Sequence, residues 1–296
     1  MSNEAKRHHY VPRFYLKRFS DQNNIKKVMT VERHGEFIVG SRKSIRSIGY
    51  EVGLHDAPDP SNVGSMEGEL NDKIETPFSS SSTWKKISAG SFADLDERDG
   101  LSIYGFARHL QRRNIATQRF IAEQNARFLA GGLVDVTPEE KAMHEWLADH
   151  PDAKHRLFRS GALDTALPED AGDINILICR SPIKLRSSTN PTLIFSHPGE
   201  QSIFGSMFND LRTWWLTLDR HWGVFIVLGG PSGFSIDLID ADVARVVNRR
   251  YLVQMTQGAA RYVLADDNHL HEDLEWAGGS LVDQAAAGFR YALPNQ

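Results

Sequence analysis

The chain has 296 residues, of which 41% are hydrophobic and 24% charged, with a formal net charge of −4 and a pI near 6.3. That supplies enough apolar surface for a folded core, and it excludes both a disordered chain and a domain held to nucleic acid by overall charge. A single cysteine, Cys179, excludes an internal disulfide and a multi-thiolate zinc site.

The opening stretch, Met1 to Tyr10, is polar and basic, and no run reaches the roughly 18 apolar residues of a membrane span, so a cytoplasmic protein with no membrane partner is expected. Basic residues gather in the N-terminal third, among them Arg13, Lys17, Arg18, Lys26, Lys27, Arg42, Lys43 and Arg46. They permit an anionic ligand there, and equally read as solvated faces. Acidic residues cluster from Glu67 to Glu97 and from Asp266 to Glu275.

Pro12 followed by Phe14, Tyr15, Leu16 and Phe19 predicts a short helix, with His9 just ahead of its start. His34-Gly35 between Lys26 to Val31 and Glu36 to Val39 predicts a β-hairpin. Asp56 to Gly64 reads as a loop. Met66, Leu70 and Ile74 recur every four residues and open a helical stretch to Ile87, which Pro77 and four serines interrupt. Helical spacing resumes from about Leu95 to Leu129 and stops at Gly131-Gly132. Thr137-Pro138-Glu139-Glu140 opens another helix through Trp146.

Strands are predicted at Ile174 to Cys179, Thr192 to Phe195, Trp214 to Leu218, Val224 to Leu228 and Phe234 to Leu238. Leu228 to Gly233 lacks the Lys-Ser/Thr of a phosphate loop and reads as a hairpin loop between the last two. Alternation puts Trp214 and Trp215 on opposite faces of a sheet, packed in the core. A helix near Ala241 to Tyr251, a strand at Arg261 to Ala265 and a short helix with Leu270, Leu274 and Trp276 close the chain. The fold class expected is α+β, with a helical N-terminal half carrying a small β-hairpin and a mostly antiparallel sheet in the C-terminal half. One domain over 1–296 is expected, divisible into a helix-rich 1–165 and a β-rich 166–296.

His9-Tyr10-Val11-Pro12 with Phe14-Tyr15-Leu16 and Phe19 resembles the opening signature of the bacterial domain of unknown function 4238 family. The stretch around Glu67 and Glu75 with Lys85-Lys86-Ile87, and Phe106-Ala107-Arg108-His109-Leu110-Gln111-Arg112, are similar to two helices of that family. Ser187-Ser188-Thr189-Asn190-Pro191 sits where the family usually has Thr-Ser-Asp-Asn-Pro, with Thr189 in place of the aspartate. Val247-Asn248 and Arg261-Tyr262-Val263 resemble its closing helix and strand, so the resemblance runs over about residues 7 to 265. It implies no established activity.

His9, Glu75, His109 and Arg112 come from three of these segments, and the i, i+3 spacing sets His109 and Arg112 on one helix face. Such a set supplies a general base or metal ligand, an acid or second ligand, and a fixed charge for an oxyanion. The leading expectation is a hydrolase acting on a phosphodiester such as nucleic acid or another phosphate-bearing ligand. His9, Glu75, His109 and Arg112 would be catalytic, Asn190 would contribute to binding, and a divalent metal would be a cofactor. The alternative is a non-catalytic binding or interaction protein in which the same residues form a structural network. His144-Glu145 has no histidine at zinc-protease spacing, and Asp266 to Asp273 reads as an acidic solvated turn rather than a cation site.

Overall fold

The computed structural model describes residues 7–20, 24, 26–52, 66–131, 137–167, 173–196, 212–229, 231–285 and 288–293. The loop expected at 56–64 lies outside them. The N-terminal motif divides between β1 (Arg7–His9) and α1 (Arg13–Leu16). Pro12 stands at the helix cap, where a missing N–H costs nothing. The hairpin follows as β2 (Lys27–His34) and β3 (Phe37–Ser44), with Gly35 supplying the positive φ of the turn. β4 (Tyr50–Val52) then returns to pair with β1, which sets His9 opposite Tyr50.

Between Met66 and Ala89 the helix is broken twice. α2 (Met66–Leu70) widens into a π-turn over Asn71–Glu75, where the Thr76 N–H reaches back to the Asn71 carbonyl, and α3 (Thr76–Ser80) continues through Pro77. Proline has no N–H to give the preceding turn, and the wider turn precedes it directly. The second break is at Ser81, whose hydroxyl caps α4 (Ser82–Ala89). An Asp96–Asp99 capping box starts α5 (Glu97–Arg112), and α6 (Ile115–Leu129) begins after Asn114. α7 (Pro138–Asp149) carries the expected Thr137 box, and α8 (Pro151–Leu163) follows with Pro151 in its first turn.

The later strands are β5 (Ile174–Arg180), β6 (Ser187–Ser188), β7 (Thr192–Ser196), β8 (Arg212–Thr217), β9 (Trp222–Leu228) and β10 (Gly233–Leu238). α9 (Ala241–Thr256), β11 (Tyr262–Leu264), α10 (Leu270–Trp276), β12 (Ser280–Ala285) and β13 (Gly288–Ala292) complete the order. Three sheets form among the described residues: β1-β4, a five-stranded β10-β5-β9-β8-β7, and a six-stranded β12-β13-β3-β2-β11-β6.

The fold is α+β, but its expected division into a helical N-terminal half and a single C-terminal sheet is wrong. β2 and β3 stand inside the six-stranded sheet, because the free edges of an early hairpin are completed by β11 and β13 from the end of the chain. Helices α9 and α10 lie in the C-terminal half. The Leu228 to Gly233 connection is also no hairpin loop, since β10 pairs parallel with β5, and β5 separates it from β9.

Alternation along the five-stranded sheet sends its two faces into different cores. Trp214, Leu216 and Ile226 pack with Tyr15, Phe106 and Leu110, while Trp215 and Phe225 pack with Val31, Tyr251 and Tyr291. Each core therefore draws on both ends of the chain.

Candidate functional site

His9, Glu67, Glu75, His109 and Arg113 meet where β1, the α2 to π-turn segment and the end of α5 converge. Helix geometry explains the arginine. At about 100° per residue, position i+4 lies about 40° from His109 and i+3 about 60° on the other side, so the core-facing partner is Arg113. Arg112, the arginine singled out in the sequence, is exposed and does not join the cluster; it adds to the Arg108 hydrogen bond that holds the Asp164 carboxyl low.

Arg113 and His109 have no exposed surface, and Glu75 and His9 are buried. The Arg113 guanidinium pairs with Glu75, donates to the His9 carbonyl, and lies 3.5 Å from Glu67. Glu67 also accepts the His9 backbone N–H at 3.2 Å. Burial pulls Arg113 down to about 10, with Glu67 opposing, so it stays charged at neutral pH.

Both imidazoles are fixed by their partners. His109 Nδ1 lies 2.9 Å from the Ala162 carbonyl, which can only accept, so Nδ1 carries the proton and Nε2 keeps its lone pair. That lone pair faces Arg113 Nη1 at 3.3 Å. Burial lowers the His109 pKa to about 4, so its 3.7 Å approach to Glu75 is not an ion pair at neutral pH. Arg13 Nε donates to His9 Nε2 at 3.2 Å, and the His9 ring packs against Tyr50. Each Nε2 is thus occupied by an arginine donor, which is the arrangement of a hydrogen-bonded scaffold more than of a poised base.

Asn190 stands apart from this cluster and donates to the Ala259 carbonyl at 3.3 Å. The link between the two runs through Thr189 and through Asn114, which no sequence motif marks. Asn114, fully buried, donates to the Thr189 carbonyl at 2.8 Å while its Oδ1 accepts the Ala116 N–H at the start of α6. The Thr189 hydroxyl in turn accepts the N–H groups of Arg261 and Tyr262, both at 3.0 Å. A threonine can thus serve as the acceptor at a position where the resemblance implied an aspartate. The i+4 spacing from His109 and the cap position after α5 were the available signals for Arg113 and Asn114.

Beside the cluster, Tyr10, Tyr50, Glu51, Arg119 and Arg261 line a cleft of about 960 Å³ that reaches the end of α9. Elsewhere, the acidic stretch Asp266 to Asp273 is a partner for arginines instead of a solvated turn. Asp267 takes a two-pronged bond from buried Arg186 at 2.6 and 2.7 Å, and Asp273 receives Arg245 and Arg249. Among the described residues no group of three or more His, Cys, Asp or Glu side chains is arranged to hold a metal ion. Burial pushes the Cys179 thiol up to about 12, which leaves it protonated. No described helix is long and apolar enough to cross a membrane.

No curated protein and no solved structure matches the chain. A family model described as "Protein of unknown function (DUF4238)" matches residues 7–174, more than half of the chain and a span that holds all five clustered residues but ends at the start of β5. The chain therefore belongs to the DUF4238 family of proteins of unknown function.

Proposed function

We propose that the chain acts by binding, with the His9, Glu67, Glu75, His109 and Arg113 network as the structural lock that holds β1 on the helices and the 960 Å³ cleft beside it as the binding surface. The observation that carries this reading is that His9 Nε2 and His109 Nε2 each accept from an arginine. A general base or metal ligand needs that lone pair free. The cleft offers the Tyr50 ring and the guanidiniums of Arg33, Arg119 and Arg261 against the carboxylates of Glu36 and Glu51, which suits a polar ligand bearing an anionic group.

The second reading, a phosphodiester hydrolase, draws on the convergence of His9, Glu75 and His109 in one place. It requires Arg13 to leave His9 and Arg113 to take the oxyanion role first assigned to Arg112. His9→Asn in the purified chain separates the two. A structural lock gives a lower melting temperature and no change in the hydrolysis of a generic phosphodiester such as bis(p-nitrophenyl) phosphate. Wild-type hydrolysis that disappears in a variant of unchanged melting temperature would establish the hydrolase reading instead.

A further inference from the structure

A separate pocket of about 400 Å³ is assembled from four distant stretches of the chain. Lys17 and Arg18 follow α1, Gly90 and Phe92 follow α4, Arg180 ends β5, and Asp219 to Trp222 form the turn between β8 and β9. Of the side chains around it, Lys17, Arg18, Arg180, Arg220 and His221 are basic and only Asp219 is acidic.

Two of the arginines shape the pocket. Arg18 donates to the carbonyls of Ile87 and Ser88, at 3.0 and 3.1 Å, and to Asp219 at 2.9 Å. Arg220 donates to the carbonyls of Phe19 and Ser20 and pairs with Asp266. The Asp219 carboxylate is fully engaged, because its other oxygen accepts the N–H groups of His221 and Trp222. Nothing acidic in the pocket is left for the remaining cations. The side chains of Lys17, Arg180 and His221 are exposed and have no hydrogen-bond or ion-pair partner among the described residues. One wall is flat and apolar, formed by the half-buried Trp222 ring, which is backed by the buried Phe92 ring stacked on it at 4.4 Å and 9°.

We propose that this pocket binds the phosphate group of a phosphorylated small molecule, with Lys17, Arg180 and His221 as its side-chain donors and the Trp222 ring, held from behind by Phe92, as the wall for the rest of the ligand. Lys17 and Arg180, two unpaired cations beside one concavity, repel one another until an anion joins them. The volume of about 400 Å³ falls in the range of roughly 300–1,000 Å³ typical of small-molecule sites, and the basic side chains gather around one concavity instead of along the extended track that a nucleic-acid strand needs. The proposal is independent of the buried network, since no residue of that network lines this pocket.

Calorimetric titration of the full chain with inorganic pyrophosphate, and separately with a single-stranded oligonucleotide, tests it. Saturable pyrophosphate binding is expected, with Lys17→Gln and Arg180→Gln each weakening it by roughly tenfold, the loss of one charge-assisted hydrogen bond. Both side chains are exposed and unpaired, so the melting temperature should not move. Absence of saturable pyrophosphate binding would overturn the proposal, as would binding that Arg180→Gln leaves unchanged. Tighter binding of the oligonucleotide than of pyrophosphate would overturn the small-molecule assignment.

Discussion

A guanidinium with no exposed surface, such as that of Arg113, is tolerated only while carboxylates and carbonyls surround it, and those carboxylates depend on it equally. Arg113→Ala leaves Glu75 and Glu67 facing a vacated interior and is expected to cost about 3–5 kcal/mol in equilibrium unfolding. Arg112→Ala, one residue away and exposed, should change stability by less than about 0.5 kcal/mol. Equal effects of the two would contradict the placement of the network. His109 adds a pH dependence whose sign follows from its depressed pKa. Between the ordinary value of 6.5 and the folded value of about 4, the unfolded chain takes up a proton that the folded chain refuses. Stability is therefore kept above pH 6.5 and lost as the pH falls through that window, by a contribution on the order of 3 kcal/mol. Urea unfolding at a series of pH values should show this slope in the wild type and its loss in His109→Gln.

At the scale of elements, Asn114 joins two segments that the sequence does not connect. Asn114→Ala removes the cap of α6 and orphans the buried Thr189 carbonyl, which together should cost about 2 kcal/mol in thermal or urea unfolding. A loss within about 0.5 kcal/mol would mean that water replaces both bonds. Elements with strong local signals were legible beforehand: the Thr137 capping box, the Gly35 hairpin turn, and the alternating strands from Ile174 to Leu238. Pairing partners were not, because the completion of β2 and β3 by β11 and β13 depends on contacts more than two hundred residues apart. The site followed the same division. His9, Glu75 and His109 carry motifs that mark them in the sequence, whereas the choice between Arg112 and Arg113 rests on helix phase, which spacing rules resolve only to about one residue. Asn190 sits in a recognisable motif, whereas Asn114 carries none.

For the whole molecule, we propose that the helix-rich 1–165 and the β-rich 166–296 fold together as the one domain expected over 1–296. The core that holds Tyr15, Phe106 and Leu110 also holds Ile176, Trp214 and Ile226, so neither part covers its apolar face alone. We expect the chain to unfold as one unit, with far-ultraviolet dichroism and tryptophan fluorescence giving coincident denaturation curves. Expressed alone, residues 1–165 should be unfolded or aggregated. Two resolved transitions, or a folded 1–165 fragment, would establish two domains.

A buried network that serves as a structural lock requires one defined state of its two imidazoles. Nitrogen-15 NMR of the histidine side chains reads that state directly. His9 and His109 should each show an acceptor Nε2, and His109 should stay neutral, with its proton on Nδ1, until about pH 4. A His109 that titrates near neutral pH, or a proton on Nε2 of either ring, would contradict the lock and return the cluster to consideration as a catalytic site.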